Sequence, residues 1–203
     1  MKLEAKNVGF YYKHNSWVLR NVDFSVESGE RVGILAPSGY GKSTLSRVLS
    51  GYEKAQEGEV LLDGKPLPMK TFCPVQMVYQ HPEMALNPRW KMKRSLEEHY
   101  TPSEEERRRF GIIDNWLDRW PLELSGGELQ RFCLLRILAP ELKFLVADEI
   151  STMLDPITQA QIWSAVLEIA EEKNLGLIVI SHNKFLIDKV CTRTVDLEKL
   201  NER

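Results

Sequence analysis

The sequence predicts an α/β fold in which a mostly parallel sheet is flanked by helices on both faces. From residue 125 onward, helix-spaced segments alternate with short apolar strands at 144–147 and 176–181. Such alternation is typical of parallel sheets, whose strands are buried on both faces and joined by crossover helices. Earlier, an apolar strand at 31–36 runs into a glycine-rich turn and a helix. A chain of 203 residues fits one domain of this class.

The N-terminal part of the chain is predicted to be rich in strands. Residues 2–36 contain an alternating apolar segment at 22–26, and a turn precedes the strand at 31–36. Apolar residues at helical spacing then predict a helix over 42–50 that ends before Gly51. Further short strands are predicted at 59–62 and 75–79.

Residues 84–124 differ in character and predict a helical insert, because they are rich in charge and tryptophan and poor in β-branched runs. Ser103 and Glu106 have the spacing of a capping box at a helix start. Glu104 and Glu105 each precede an arginine, Arg108 and Arg109, by four positions. An ion pair at this spacing stabilises a helix by roughly 0.2–0.5 kcal/mol. We therefore interpret these arginines as part of a solvated, self-paired helix face rather than as an anion-binding patch.

Composition and charge exclude several classes of protein. A formal charge of −2 argues against a dedicated nucleic-acid binder, which usually carries a strong basic excess. The three cysteines are scattered without metal-ligand spacing, so we expect reduced thiols in a cytosolic protein. The N-terminus has no apolar signal-peptide region. The longest apolar runs have the length of strands, far below the ~20 residues of a membrane span.

A glycine-rich loop at 36–44 has the pattern of a phosphate-binding loop. In such a loop, backbone N–H groups and the following helix start face the phosphates, a lysine reaches the β- and γ-phosphates, and a hydroxyl holds Mg²⁺. Gly39 and Gly41 permit positive φ and close approach of the backbone. Ala36 stands where the pattern has its first glycine, and we expect its methyl group to be tolerated. The candidate phosphate contacts are Ser38, Gly39, Tyr40, Gly41, Lys42, Ser43 and Thr44, with Ser43 as the Mg²⁺ ligand.

A second glycine-rich helix start lies at 124–131, and we expect the helix that follows it to span 129–138. Ser125 and Glu128 have the spacing of a capping box, and a helix start with two glycines and a serine hydroxyl is itself an anion site. Because the loop at 36–44 already provides a nucleotide site, the second site must serve a different purpose.

The two glycine-rich motifs together resemble the ATPase subunit of ATP-binding cassette (ABC) systems, and the resemblance covers nearly the whole chain. It implies an ABC-type P-loop NTPase with an N-terminal antiparallel β subdomain and a short helical subdomain. We expect a single domain over 1–203, with an ATP-binding core at 1–83 and 125–203 and the helical subdomain at 84–124. The implied ligands are ATP and Mg²⁺, and the implied reaction is hydrolysis of ATP to ADP and phosphate.

Two carboxylates end the buried strand that begins at residue 143, and the carboxyl end of a parallel strand lies at the ligand edge of its sheet. By resemblance, Asp148 orients Mg²⁺ and Glu149 polarises the attacking water. Gln80 matches the family glutamine that touches Mg²⁺ and the attacking water. His182 matches the family histidine that contacts the γ-phosphate.

The same resemblance implies that an aromatic side chain upstream of the phosphate loop stacks on adenine. Tyr12 is the first candidate for this role, and Tyr11 is the competitor. Because side chains alternate between the two faces of a strand, we expect one of the two tyrosines to lie in the core.

In the family, the second glycine-rich site completes the γ-phosphate pocket of the opposite subunit, so that two ATP molecules lie between two head-to-tail chains. The segment 151–155 resembles the loop along that interface, with Asp155 as its key residue, and Ile150 replaces the usual proline. The partner ATPase is either an identical chain or a sister chain, and the pair closes and opens with ATP binding and hydrolysis. The residues implied at the second site are Ser125, Gly126, Gly127 and Glu128.

Residues 80–89 and 155–162 are similar to segments of dipeptide, oligopeptide and nickel importers, although the insert is shorter than in that group. The resemblance implies membrane permease subunits, a substrate-binding protein and a cytoplasmic position on the inner face of the membrane. A permease helix would dock near residues 87–90, where Trp90 is either an anchor or a partly buried core residue. The alternative is an accessory ABC ATPase acting on a protein or enzyme complex, as in phosphonate-lyase or cofactor-assembly systems.

Overall fold

The computed structural model describes residues 1–14, 16–68 and 70–202. The strands are β1 (Lys2–Lys13), β2 (Ser16–Glu27), β3 (Arg31–Leu35), β4 (Glu57–Leu62), β5 (Lys65–Pro66), β6 (Val75–Val78), β7 (Phe144–Asp148), β8 (Gly176–Ile180) and β9 (Arg193–Asp196). The helices are α1 (Lys42–Leu49), α2 (Met92–Leu96), α3 (Glu104–Arg109), α4 (Asp114–Leu117), α5 (Gly126–Leu135), α6 (Pro156–Glu172), α7 (Lys184–Val190) and α8 (Leu197–Leu200). Short 3-10 helices lie at Pro82–Met84 and Pro121–Glu123.

A parallel sheet with the strand order β6-β7-β8-β3-β9 forms the centre of the fold. Every residue of β7 and β8 is buried, as expected for strands covered on both faces. Side chains alternate between the faces: Val146 and Ile178 belong to one apolar cluster, and Leu145 and Leu177 to the other. The sheet confirms the predicted α/β class and brings the carboxyl ends of its strands to one edge.

An antiparallel sheet with the order β2-β1-β4-β5 is built from the N-terminal strands. Leu3 of β1 pairs with Val26 of β2 on one side and with Leu62 of β4 on the other. Leu3 also shares an apolar cluster with Leu45 of α1 and Ile34 of β3. The buried face of this sheet therefore packs with one face of the parallel sheet, and the predicted N-terminal antiparallel part is confirmed.

Short helices separated by turns connect β6 to α5. Ser103 caps α3 as predicted: its Oγ accepts from the Glu106 amide at 3.1 Å, and Glu106 Oε2 accepts from the Ser103 amide at 2.8 Å. The prediction of a self-paired face was incomplete, because Arg109 pairs with Glu105 at 3.5 Å and also with Glu172 of α6 at 2.6 Å. Helical spacing reports only local pairs, so it could not reveal this long-range partner.

Several element boundaries differ from the predicted ones. Helix α5 begins at Gly126 and ends at Leu135, whereas the sequence predicted 129–138, because the capping box at Ser125 starts the helix at once. Helix α8 was not predicted; Asp196 caps it by accepting from the Glu198 amide at 3.0 Å. Within the described residues, no helix combines the length and the apolar character that crossing a membrane would require.

Candidate functional site

The phosphate-loop pattern lies between β3 and α1, at the carboxyl edge of the parallel sheet. Gly39 and Gly41 have φ values of 79° and 87°, in the region that favours glycine. Gly41 is the N-cap of α1, and a Cβ there would come within 3.1 Å of the Val18 carbonyl oxygen. The loop therefore requires glycine at this position both for its φ and for the space around it.

The Lys42 ammonium is held by the loop itself. Its Nζ donates hydrogen bonds to the carbonyl oxygens of Ala36 at 2.7 Å and Pro37 at 2.9 Å. The contact uses only the backbone of Ala36, whose φ lies outside the left-handed region. The alanine methyl group therefore disturbs neither the contact nor the backbone conformation, in line with the expectation that it is tolerated.

Asp148 ends β7 as a buried carboxylate, and its Oδ1 has no hydrogen-bond partner among the described residues. Burial raises the pKa of the Asp148 carboxyl group, and a hydrogen bond with Ser43 acts in the opposite direction. Asp148 and Ser43 line one cavity of about 630 Å³ together with Gln80. Oxygen donors around a shared cavity, one of them buried and unpaired, suit Mg²⁺, which takes oxygen ligands and keeps several waters.

Glu149 follows β7 with a φ of 51°, which is unusual for a residue other than glycine. Its amide donates to the carbonyl oxygen of Ile180, the last residue of β8, at 3.0 Å. Its side chain has two contacts: Oε1 lies 3.3 Å from His182 Nδ1, and Oε2 accepts from the Thr152 hydroxyl at 3.4 Å. The carboxylate is thus oriented from both sides, and the sheet brings together two residues that the sequence placed after separate strands.

Gln80 lies just beyond β6, in the segment that leads into the insert. Two side chains donate hydrogen bonds to backbone carbonyls of this segment: Gln130 of α5 to Tyr79 at 3.4 Å, and Arg136, which directly follows α5, to Ala85 at 2.6 Å. These contacts hold the backbone on both sides of Gln80. Gln80 therefore lies where the sequence predicted it, beside the cavity that Ser43 and Asp148 also line.

Tyr12, rather than Tyr11, faces the helix that follows the phosphate loop. The Tyr12 hydroxyl is 3.4 Å from Thr44 Oγ1, whereas the Tyr11 ring packs edge-on against Trp17 at 4.9 Å. The expectation that one tyrosine lies in the core was wrong, because Tyr12 is exposed and Tyr11 is only partly buried. Phe10, two residues before Tyr12 and on the same face, takes the core position.

The second glycine-rich motif forms the predicted capping box at the start of α5. Ser125 Oγ accepts from the Glu128 amide at 3.3 Å, and Glu128 Oε2 accepts from the Ser125 amide at 2.6 Å. Ser125 and Gly126 are exposed. None of the residues from Ser125 to Glu128 lines the cavity of Asp148. The two motifs therefore present separate polar surfaces.

Asp155 caps α6 and lies between two exposed apolar residues. Its Oδ1 accepts from the amides of Ile157 and Thr158, each at 3.0 Å. Hydrogen bonding with Thr158 is the largest of the effects that lower the pKa of Asp155. Ile157 and the nearby Met153 are exposed, so the loop after Glu149 carries large apolar side chains on its outer side.

Trp90 lies two residues before α2 and is only partly buried. The Arg94 guanidinium, from α2, stacks over its ring at 4.0 Å from the centroid, a cation–π contact. Partial burial is compatible with both interpretations of Trp90, as a docking anchor and as a partly buried core residue.

The contacts that hold the loop after Glu149 could not be predicted from the sequence. The Thr152 hydroxyl reaches Glu149, and the neighbouring Ser151 Oγ accepts hydrogen bonds from Gln159 and Trp163 of α6. The spacing of four between Gln159 and Trp163 indicates that both share one face of the helix. That spacing could not reveal which residue they contact.

The chain matches the family model described as ABC transporter over residues 19–152. It is also 34% identical over 210 aligned residues to proteins named nickel import ATP-binding protein NikE from Escherichia coli (strain K12) and Shigella sonnei (strain Ss046). The alignments cover 94% of this chain and 78% of each relative. The chain therefore belongs to the ABC transporter family of ATP-binding cassettes, and it is an ATPase.

Solved structures agree with this assignment. A dimeric structure of MJ0796, a bacterial ABC transporter cassette, matches with a TM-score of 0.83 at 26% identity and covers 99% of this chain and 97% of that one. A second MJ0796 structure, bound to ADP and Pi, has a TM-score of 0.79. The cbiO1 subunit from Clostridium perfringens matches with a TM-score of 0.77 at 23% identity over 96% of this chain and 83% of that chain, which supports the fold.

Proposed function

We propose that the chain is the energy-coupling subunit of an ABC importer that carries peptides or chelated metal such as nickel. The observation that carries the catalytic part is the meeting of Glu149, His182, Ser43 and Asp148 at one edge of the sheet. The importer assignment is supported by the similarity to nickel import ATP-binding proteins. No observation favours the alternative of an accessory ATPase acting on an enzyme complex.

Each residue of the edge has a defined role in this proposal. Lys42 and the backbone amides of residues 38–44 bind the phosphates of ATP, and Tyr12 stacks on adenine. Glu149 polarises the attacking water, with its carboxylate held by His182 at 3.3 Å. His182 also contacts the γ-phosphate, and Gln80 orients the water.

Ser43, Gln80 and Asp148 would hold Mg²⁺. Bound there, the ion supplies charge neutralisation on the β- and γ-phosphate oxygens. The buried, unpaired Asp148 Oδ1 supports this assignment, since a buried carboxylate oxygen without a partner is costly unless a ligand meets it.

The second glycine-rich motif acts on the ATP of a partner ATPase, which is an identical or a sister chain. Ser125, Gly126, Gly127 and Glu128 start α5 and complete the partner's γ-phosphate pocket, while Asp155 lies along the interface. Support comes from the exposure of Ser125 and Gly126, and from a similar cassette whose structure is dimeric. A helix start with free amides is suited to an anion.

The remaining parts of the proposal concern organisation and partners. Residues 1–83 and 125–203 form the ATP-binding core of one domain, and residues 84–124 form a helical subdomain. Permease subunits dock near residues 87–90 and keep the chain on the inner face of the cell membrane. A substrate-binding protein completes the system. Trp90, steadied by Arg94, is the proposed anchor of the permease contact.

A comparison of two carboxyl-to-amide substitutions tests the catalytic proposal. Glu149→Gln should lower kcat for ATP hydrolysis by roughly 10²–10⁴-fold and leave ATP binding intact. Glu171→Gln, at an exposed position of α6, serves as the matched control and should retain the full rate. Equal rates in the two variants would contradict the role of Glu149.

The transported molecule is tested separately. In cells that lack the native gene, uptake of radiolabelled nickel and of a labelled dipeptide is measured with the wild-type chain and with Glu149→Gln. If the wild-type chain restores uptake of nickel or of the dipeptide and Glu149→Gln does not, the molecule taken up identifies the substrate class. Restoration of neither, with the permease subunits present, would contradict the importer assignment while leaving the ATPase assignment in place.

A further inference from the structure

The loop after the catalytic carboxylate is anchored by two donors from α6. Ser151 Oγ accepts a hydrogen bond from the Trp163 indole Nε1 at 3.0 Å and another from Gln159 Nε2 at 2.8 Å. Ser151 and Trp163 are each 4% exposed, so water competes little for these bonds. Gln159 and Trp163 are four residues apart and therefore present their donors on the same face of the helix.

This anchor connects to the carboxylate through the next residue. Thr152 follows Ser151 directly, and its hydroxyl donates to Glu149 Oε2 at 3.4 Å. The backbone of Glu149 has a φ of 51°, and such a conformation persists only where the surroundings fix it. The Ile180 carbonyl fixes Glu149 on the strand side, at 3.0 Å from its amide. Ser151 is the corresponding fixed point on the loop side.

We infer that Trp163 is a positioning residue for ATP hydrolysis, acting through Ser151 and Thr152 on the carboxylate of Glu149. This inference rests on the proposed role of Glu149 in polarising the attacking water. Without the indole N–H, Ser151 loses one of its two donors, and Thr152 is held less firmly against Glu149. The carboxylate then samples orientations that do not face the water, so the chemical step slows.

The same contacts separate this role from nucleotide binding. The phosphate loop at 36–44 belongs to a different strand–helix unit, and none of the bonds of Trp163 or Ser151 reaches it. Trp163 also packs within the apolar cluster between the sheet and the helices, which a phenylalanine ring would continue to fill. Trp163→Phe therefore removes the donor while keeping most of the packing.

The test compares Trp163→Phe, Ser151→Ala and the double variant in full-length protein. Each single variant should lower kcat for ATP hydrolysis about tenfold and leave KM for ATP within twofold of the wild type. The double variant should be no slower than the slower single variant, because both changes break the same connection. Ser151→Thr keeps the hydroxyl and should restore most of the rate. Trp116→Phe, a tryptophan that packs on Phe132 away from the loop, is the matched control.

Thermal unfolding of each variant separates positioning from folding. We expect Ser151→Ala to lower kcat at an unchanged KM, while its melting temperature falls by only the few degrees expected for a buried indole N–H that has lost its acceptor. If Trp163→Phe and Ser151→Ala both keep the wild-type kcat while Glu149→Gln is inactive, the inference about Trp163 is overturned and the proposed function stands. Full turnover in Glu149→Gln would instead overturn the proposed function. If Ser151→Ala raises KM while strongly lowering both kcat and the melting temperature, the inference about Trp163 is also overturned, because that pattern indicates a merely structural role.

Discussion

Glu149 and His182 meet across two neighbouring strands, with Glu149 Oε1 lying 3.3 Å from His182 Nδ1. Strands β7 and β8 are parallel, and Asp148 stands opposite Ile180 in their register. Glu149, one residue after β7, and His182, two residues after β8, therefore lie side by side, although they are far apart in the chain. A phosphate that contacts His182 would consequently be within reach of the carboxylate that we propose acts on the water.

We expect His182→Gln to lower kcat for ATP hydrolysis by about 10²-fold, equivalent to about 2.7 kcal/mol in the barrier. The reason is the loss of both the contact to the γ-phosphate and the contact that orients Glu149. The His182 side chain is 63% exposed, so the melting temperature should change little. Steady-state hydrolysis measures the effect, and His14→Gln, at another exposed histidine, is the control. A fully active His182→Gln would contradict the role.

Substitution of the two tyrosines should separate adenine stacking from surface packing. Tyr12→Ala should raise KM for ATP about tenfold, because its ring lies beside Thr44 and is accessible to the base. Tyr11→Ala should leave KM within twofold, since its ring packs on Trp17 instead. Titration with a fluorescent ATP analogue checks both values. A larger effect from Tyr11→Ala would reverse the assignment.

Ala36→Gly should leave KM and kcat for ATP within twofold of the wild type. Only the carbonyl oxygen of Ala36 contacts Lys42, and glycine offers the same carbonyl. Hydrolysis assays at several ATP concentrations check this expectation. A gain of tenfold in ATP affinity would mean that the methyl group strains the bound form of the loop, contrary to the account.

The sequence was sufficient to predict the order of the core elements and the strand ends that carry Glu149 and His182. Strand-to-helix alternation and glycine spacing are local signals, and both reflect local backbone geometry. Contacts between distant elements could not be predicted in the same way. Examples are the ion pair of Arg109 with Glu172 and the bonds from Trp163 to Ser151, which depend on how α6 packs. The core position of Phe10 was missed because alternation does not say where along β1 the buried part of the strand ends.

The thiols of the buried Cys133 and the partly buried Cys191 should resist alkylation in the folded protein. Burial raises the pKa of Cys133 and of Cys191 to about 12, from an ordinary value of 9.0. At pH 8 the fraction of each thiol present as the reactive thiolate is therefore about 10³-fold smaller than for an ordinary cysteine. This thiolate fraction, and with it the rate of labelling, increases as the pH rises toward the raised pKa. Labelling with iodoacetamide at pH 8, followed by mass spectrometry, measures this in native and denatured protein. Rapid stoichiometric labelling of native Cys133 would contradict the prediction.

ATP-dependent pairing of two chains is the mechanical step that we propose for this protein. The phosphate loop and the start of α5 present separate polar surfaces, and a head-to-tail pair of chains would unite them around two ATP molecules. Glu149→Gln should bind ATP without consuming it, so it should trap the closed pair. A second change, Ser125→Arg, would place a bulky side chain at the exposed helix start and should prevent closure.

The most direct measurement is the mass of Glu149→Gln by light scattering, with and without Mg-ATP. The account predicts that the 23.5 kDa chain becomes a dimer only when Mg-ATP is present, and that adding Ser125→Arg abolishes the shift. A chain that binds Mg-ATP by calorimetry yet stays monomeric would contradict pairing of identical chains. A dimer that forms equally without ATP, or that survives Ser125→Arg, would contradict the role of the second motif.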